Sequence, residues 1–283
     1  MPKIKIYNHN IRWSGSKKQH LEIAKKIELL QPDIVCLQEV ALEKQAKLFQ
    51  IEGYSSYYIS VSKPKTAILT SIVSPIFDVY KNLENNYLYA VNKPQKIKLF
   101  DRIKNLKNIK LKKEVKVTNR EFLKGYLLIL TRDNPNKISY KKYKTQGGLV
   151  KNLAERIAGK GFMELEFDDF NIFNTHLLSS HKKNKVELDQ NNSEQLTELL
   201  KFSQNSKNTI LVGDFNFGPD SSKYSLMNSW HDLTKEIPVT EYFWKTRLDY
   251  IFTNFKPIYS SVNIVQFENE PSDHYGIWCE LEF

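Results

Sequence analysis

The sequence predicts an α/β protein whose strands form one large mixed sheet or two packed sheets, with helices outside. Three observations predict this class. Short runs such as "DIVCLQEV" (33–40) and "TILVG" (209–213) are apolar at consecutive positions, as strands buried on both faces are. Helical spacing separates some of these runs, over 17–30 and 193–203. Strand-like runs also outnumber helical ones by more than a plain strand–helix–strand repeat would give, which favours mixed sheets.

The elements follow in order. "KIKIYNHNI" (3–11) alternates apolar and polar residues and reads as a strand. "KKQHLEIAKKIELL" (17–30) places Leu21, Ala24, Ile27 and Leu30 at helical spacing, and Pro32 ends it. "DIVCLQEV" is a buried strand and "ALEKQAKLF" (41–49) a short helix. Strands are expected at "YSSYYISV" (54–61), "TAILTSIV" (66–73), "GYLLILTR" (125–132), "GFMELEF" (161–167) and "FNIFNTHLL" (170–178). "SEQLTELLKFS" (193–203) is the next helix and leads into the strand of "TILVGDFN" (209–216). Ser221 or Ser222 caps a helix expected through "KYSLMNSW" (223–230). "RLDYIFT", "SVNIVQF" and "HYGIWCELEF" are the closing strands. Residues 81–124 and 132–160 show little periodicity and read as elaborated loops, so one domain over 1–283 is expected.

Composition sets limits. A chain of 283 residues that is 41% hydrophobic can build a substantial core. No run of about eighteen apolar residues occurs, so no membrane span is expected. "MPKIKIYNHN" lacks the apolar stretch of a signal peptide, which points to a soluble cytoplasmic protein. Cys36 and Cys279 lie in apolar strand-like runs and are expected reduced and buried, which excludes a disulfide framework. Residues 81–160 hold 21 Lys/Arg against 6 Asp/Glu, whereas the whole chain has a net charge of +10. A basic segment on an otherwise mildly acidic body is either a solvated face or a surface for a polyanion.

Polar residues punctuate the ends of the apolar strands. Asn10 in "NHNIRW", Glu39 in "CLQEV", His176 in "NTHLL", Asp214 and Asn216 in "GDFN", and Asp273-His274 in "SDH" all fall there, while Asp249 opens its strand in "RLDYIF". A carboxylate directly after such a run is costly to bury unless paired or bound to a metal. Carboxylate and amide oxygens together suit Mg²⁺ or Mn²⁺.

Taken in this order, "CLQEV", "NTHL", "GDFN", "RLDYIF" and "SDH" resemble the endonuclease/exonuclease/phosphatase superfamily, which includes DNase-I-like nucleases, neutral sphingomyelinases, inositol polyphosphate 5-phosphatases and deadenylases. The resemblance runs from Asn10 to the C-terminus. It implies a four-layer α/β sandwich, two mixed sheets face to face with helices outside and a site at one edge. It implies Glu39 as the main metal ligand with Asn10 beside it and Asp273 completing the metal's surroundings. Asp214 and Asn216 would orient water and phosphate, Asp249 would orient His274 as general base or as the group that holds the nucleophile, and His176 would bond a phosphate oxygen.

Other residues are open on sequence alone. His9, His20, His181 and His231 match nothing in the family pattern and read as surface or packing residues. Lys245 and Arg247 are either phosphate contacts or solvated cations. Trp13, Trp230, Tyr242, Phe243 and Trp244 are either core or base-stacking groups. No counterpart is found for the second glutamate that some DNase-I-like nucleases pair with this histidine, and His176 argues against the abasic-site endonuclease branch. "GDFNFGPDS" departs from the 5-phosphatase loop, and "GKGFMELEF" is loosely like sphingomyelinases. The expected activity is divalent-metal-dependent phosphodiester hydrolysis by a monomer, with DNA or RNA as substrate. The alternatives are a hydrolase of phospholipid or inositol phosphate head groups on an anionic membrane, and an inactive binding module.

Overall fold

The computed structural model describes residues 2–12, 14–40, 43–59, 127–146, 159–179, 186–204 and 206–283. The fold reported is that of the unit formed by 1–66 and 123–283. The strand expected at 66–73, Trp13, His181 and most of the basic segment lie outside the described residues.

The described strands are β1 (Lys3–Asn10), β2 (Ile34–Gln38), β3 (Ser55–Ile59), β4 (Leu127–Thr131), β5 (Lys137–Lys142), β6 (Gly161–Glu166), β7 (Asn171–His176), β8 (Thr209–Asp214), β9 (His231–Asp232), β10 (Asp249–Thr253), β11 (Tyr259–Val265) and β12 (Gly276–Glu282). The described helices are α1 (Lys17–Leu30), α2 (Glu43–Ala46) and α3 (Val186–Ser203). One six-stranded sheet has the order β11-β12-β1-β2-β4-β3, the other β5-β6-β7-β8-β10-β9. Each sheet holds one parallel pair, β1 with β2 and β7 with β8, bridged by α1 and α3 respectively. The remaining pairings are antiparallel.

Alternation along the strands builds the layers. Ile4, Ile6, Ile34, Cys36 and Ile129 of the first sheet meet Met163, Ile172, Ile210, Val212 and Ile251 of the second in one buried cluster. The opposite faces are also covered: Tyr7, Val35 and Leu37 pack on Ile23, Ala24 and Ile27 of α1, and Phe173, Leu211 and Phe252 pack with Leu196, Leu199 and Leu200 of α3. This is the four-layer sandwich, and burial on both faces is why the strand sequences are continuously apolar. Both cysteines are buried and free. Among the described residues no helix is long and apolar enough to cross a membrane.

Helix α1 starts at a capping box: Gln19 N–H donates to Ser16 Oγ and Ser16 N–H to Gln19 Oε1. Its buried seam is His20, Ile23, Ala24 and Ile27, whereas Leu21, expected on that face, is 37% exposed. Strand β5 lies where loops were expected. As a sheet edge it has no fully buried face, so Ile138 and Tyr140 stay partly exposed among its lysines, a composition that also protects the edge from further pairing. The helix expected over 223–230 is a 3-10 segment, Ser222–Met227, whose first turn is capped by Ser221.

The fold sets the site through a change of polarity along the inner faces. β1 runs Ile4, Ile6, Asn8, Asn10, and β2 runs Ile34, Cys36, Gln38. β7 runs Ile172, Asn174, His176, and β8 runs Ile210, Val212, Asp214. Each strand is therefore apolar at its start and polar at its C-terminal end, where the two sheets face each other. The first polar layer is an amide bridge between sheets: Gln38 Nε2 donates to Asn8 Oδ1 and to Asn174 Oδ1, both at 2.8 Å. Asn174 in turn donates to the carbonyls of Leu37 and Leu128. All three amides are fully buried.

Candidate active site

Above the amide layer, Asp214 is the hub. Its Oδ2 accepts from Asn10 Nδ2 at 2.9 Å and lies 3.4 Å from His176 Nε2 and 3.9 Å from His274 Nε2. Its Oδ1 accepts the backbone N–H of Asn216 at 3.0 Å, which closes "GDFN" as an Asx-turn. Gly213 makes this placement possible. At φ +146° its α-carbon sits so close to β7 that a Cβ would fall 2.0 Å from the Thr175 carbonyl oxygen.

Asn10 also donates to Glu39 Oε1 at 3.4 Å, so Asn10, Glu39 and Asp214 are brought together. Glu39 has φ +61° and Asn216 φ +55°, a left-handed conformation that costs a non-glycine residue on the order of 1–2 kcal/mol. Such strain is characteristic of groups held for function. The Asn216 side chain donates to the Leu177 carbonyl at 3.1 Å and ties the "GDFN" turn to the "NTHLL" segment.

Asp249 and His274 form the expected pair, with Nδ1 2.7 Å from Asp249 Oδ2. Asp249 is fully buried at the start of β10, and its backbone N–H is held by Thr240 Oγ1. Burial opposes a charge on His274, but Asp249 and Asp214 outweigh it and hold the imidazole protonated well above its usual range. Burial, then the proximity of Asp249, pushes the Asp214 carboxyl up to about 7. Asp273 sits beside them half-buried, its carboxylate 3.6 Å from Arg12 Nε.

His176 brings a residue that the sequence did not announce. Lys160, 4% exposed, places Nζ 2.8 Å from His176 Nε2. An ammonium group can only donate, so Nε2 accepts and His176 is neutral with its proton on Nδ1. Burial and then Lys160 hold its pKa well below normal. Among the described residues that Nδ1 has no partner, while Nε2 lies 3.4 Å from Asp214 Oδ2 and so joins Lys160 to that carboxylate. The one sequence signal for Lys160 is "GKG" at the head of β6, a lysine directly before a strand that pairs with β7.

The donor set fits a hard divalent cation. Asp214 and Asp249 offer carboxylate oxygens within 4.8 Å of each other, and Glu39 and Asn10 adjoin them. Among the described residues Asp249 Oδ1 has no hydrogen-bond partner and is buried, an arrangement that a bound cation or proton relieves.

The remaining sequence candidates separate cleanly. Arg247 is neither a phosphate contact nor solvated: it is 4% exposed, 3.2 Å from Asp232 and bonded to the Thr234 carbonyl. Its burial follows from the need to neutralise Asp232. His9 and His20 are buried, and His231 is exposed. Trp230 is core, whereas Tyr242, Phe243 and Trp244 are exposed by 52%, 56% and 63%. These three ride on a hairpin whose turn is fixed by Glu241, which accepts the N–H groups of Phe243 and Trp244. Glu241 also bridges to His274, and Arg12 lies over the Phe243 ring, so the aromatic tip is attached directly to the site.

The family model described as "Endonuclease/Exonuclease/phosphatase family" matches residues 8–274. No curated protein matches the sequence significantly. The endonuclease/exonuclease/phosphatase from Beutenbergia cavernae DSM 12333 superposes with a TM-score of 0.65 at 14% identity, covering 100% of this chain and 72% of that one. D. rerio TDP2 complexed with single strand DNA product gives 0.61 at 12% identity, covering 100% of both chains. The human Nocturnin catalytic domain with bound sulfate anion gives 0.59 at 20% identity, covering 100% of this chain and 94% of that one. At such identities the likeness is one of fold.

Proposed function

The chain belongs to the endonuclease/exonuclease/phosphatase family, whose members hydrolyse phosphoesters, and from that premise we propose that it is a Mg²⁺- or Mn²⁺-dependent phosphodiesterase acting on single-stranded nucleic acid. The observation that carries the proposal is the buried Asp249–His274 pair facing Asp214, with the Lys160–His176 pair meeting the same carboxylate through His176 Nε2. Glu39, Asn10 and Asp273 would hold the cation together with Asp214. When bound, it would polarise the phosphate and neutralise charge that grows on it.

The residues divide the remaining work. Asp214, which the cation would keep ionised, is placed to take a proton from the attacking water. His274 is held cationic, so we read it as a donor from Nε2 to a phosphate oxygen in place of the general base that the motif alone suggests. The Lys160–His176 pair, which reaches Asp214 through Nε2, would supply positive charge to a second non-bridging oxygen. One P–O bond forms to water's oxygen and one breaks, and the leaving oxygen takes its proton from solvent.

Nucleic acid is favoured by the hairpin of Tyr242, Phe243 and Trp244 with Arg12 and Lys245 beside it, since exposed rings next to cations suit bases next to phosphates. The solved TDP2 structure with a single strand DNA product supports this reading by fold likeness. The same exposed rings favour a second reading, hydrolysis of a phospholipid head group with the hairpin at the bilayer surface.

The test is hydrolysis of a single-stranded DNA oligonucleotide, a single-stranded RNA oligonucleotide, sphingomyelin vesicles and a soluble phosphoinositide, each with Mg²⁺ and with EDTA. Mg²⁺-dependent cleavage of either oligonucleotide is expected. Cleavage of lipid alone would establish the second reading, and no cleavage of any substrate by folded protein would leave a binding module.

A further inference from the structure

We propose that His9 is a positioning residue whose ring, oriented by Tyr7, holds the backbone carbonyl of His274 and so sets the imidazole of His274 against Asp214. The inference rests on the catalytic reading of His274. His9 alternates with Asn8 and Asn10 on β1, so its side chain leaves the opposite face of the strand from the site and touches no substrate. It acts through the chain segment that carries His274.

The contacts are complete and specific. His9 Nε2 lies 2.9 Å from the His274 carbonyl oxygen, and the Tyr7 hydroxyl lies 2.7 Å from His9 Nδ1. A carbonyl oxygen only accepts, so Nε2 carries the proton, and Nδ1 then accepts from the Tyr7 hydroxyl. The two partners thus fix one tautomer of a ring that is fully buried, as is Tyr7. Gly276 makes room for the pair: a Cβ at 276 would fall 2.6 Å from the Tyr7 hydroxyl oxygen. The other backbone group of His274 is held from the same strand, because its N–H donates to Ser272 Oγ, which donates to the Asn10 carbonyl at 2.6 Å. Both polar groups of the His274 peptide backbone are therefore referred to the end of β1. A residue there for packing alone would need no polar atoms.

Three variants of the full chain test this, His9→Leu, His9→Gln and Tyr7→Phe. The glutamine amide nitrogen replaces Nε2 as donor to the carbonyl, and leucine has no donor. In metal-free protein, long-range ¹H–¹⁵N spectra should show wild-type His9 as the Nε2–H tautomer, with a low-field, exchange-protected proton on His274 Nδ1 from its bond to Asp249. His9→Leu should lose that protected proton and His9→Gln should keep it. With bis(4-nitrophenyl) phosphate and Mg²⁺, His9→Leu should lower kcat by about 10–100-fold with little change in KM, the effect of a misplaced group, and His9→Gln should recover most of it. Tyr7→Phe preserves the core shape and decides the matter if His9→Leu does not fold: it keeps the Nε2–H tautomer that the His274 carbonyl demands but removes the bond that orients the ring, so the His274 proton should broaden.

A wild-type His274 resonance in folded His9→Leu or in Tyr7→Phe would overturn the proposal. So would a His9→Gln variant as impaired as His9→Leu. Absence of hydrolysis by the wild type would count against the proposed activity, while the His9 tautomer and the His274 proton would still decide the positioning role.

Discussion

Lys160 Nζ lies 2.8 Å from His176 Nε2, and both side chains are almost wholly removed from solvent. That ammonium acts on Asp214, whose Oδ2 is 3.4 Å from the same His176 nitrogen, and on an anionic substrate that meets the pair. Lys160→Met keeps the aliphatic stem and removes the charge. Given about 1.5–3 kcal/mol for a hydrogen bond to a charged group, kcat/KM for an oligonucleotide should fall by roughly 10–100-fold. Steady-state kinetics check this, and an unchanged value would place Lys160 among the structural residues.

The Asp249–His274 pair should be indispensable for turnover and dispensable for folding. His274→Gln is expected to lower kcat by about 10²–10⁴-fold, the span typical of lost proton-transfer or donor groups. Asp249→Asn should do likewise, because the neutral amide no longer holds the imidazole cationic. Circular dichroism would establish that the variants are folded. Activity within a few-fold of wild type in His274→Gln would remove the histidine from the mechanism.

Acidity links Asp214 to stability with a definite sign. Its pKa is about 7 in the fold, against about 3.9 in an unfolded chain. Between those values the folded chain binds a proton that the unfolded chain releases. This group therefore favours folding at low pH, and the advantage is lost as pH rises toward 7. His274, also raised, acts in the same sense: its contribution is present below about 6.5 and lost as pH climbs through its folded value. Asp214→Asn should make the metal-free stability decline less steeply between about pH 4 and 7, measured by urea denaturation in EDTA.

The same carboxylates predict how metal binding varies with pH. A cation competes with the Asp214 proton, so saturating Mg²⁺ should raise the melting temperature more at pH 8 than at pH 5. Equal shifts at both pH values would mean that the cation binds elsewhere.

The amide bridge under the site predicts a change in stability. Gln38→Leu strips the donor from Asn8 Oδ1 and Asn174 Oδ1, both fully buried. At about 1–3 kcal/mol for each orphaned group, a loss of roughly 2–6 kcal/mol is expected from chemical denaturation. A loss within experimental error would mean that water replaces the glutamine.

The hairpin rings should govern binding without touching the chemistry. Trp244→Ala should weaken a single-stranded oligonucleotide by about 1–3 kcal/mol, as loss of one stacked base does, measured by fluorescence anisotropy. Hydrolysis of bis(4-nitrophenyl) phosphate should be unchanged. Normal oligonucleotide binding with reduced partition onto anionic vesicles would assign the rings to a membrane.

The strands with apolar character on both faces, β2 and β8, were legible from sequence because that pattern has few other causes, and β1 was legible from its alternation. Strand β5 was not, since an edge strand buries neither face fully and its Lys-rich text resembles loop. Asn10, Glu39, Asp214, Asp249 and His274 stood out because polar residues are costly at buried strand ends. Lys160 and His9 did not. A lysine beside a glycine reads as solvated, and the use of a buried histidine depends on a partner 265 positions away. Exposure of Tyr242, Phe243 and Trp244 was equally hidden, because aromatic residues in a strand-rich chain are usually core.

The Asp249–His274 hydrogen bond joins strand β10 of one sheet to the segment entering β12 of the other. Any sliding of one sheet across its neighbour must stretch that bond before it exposes much core. Gentle heating or dilute denaturant should then silence the enzyme while its spectra still look native, which makes turnover the earliest gauge of a loosening interior.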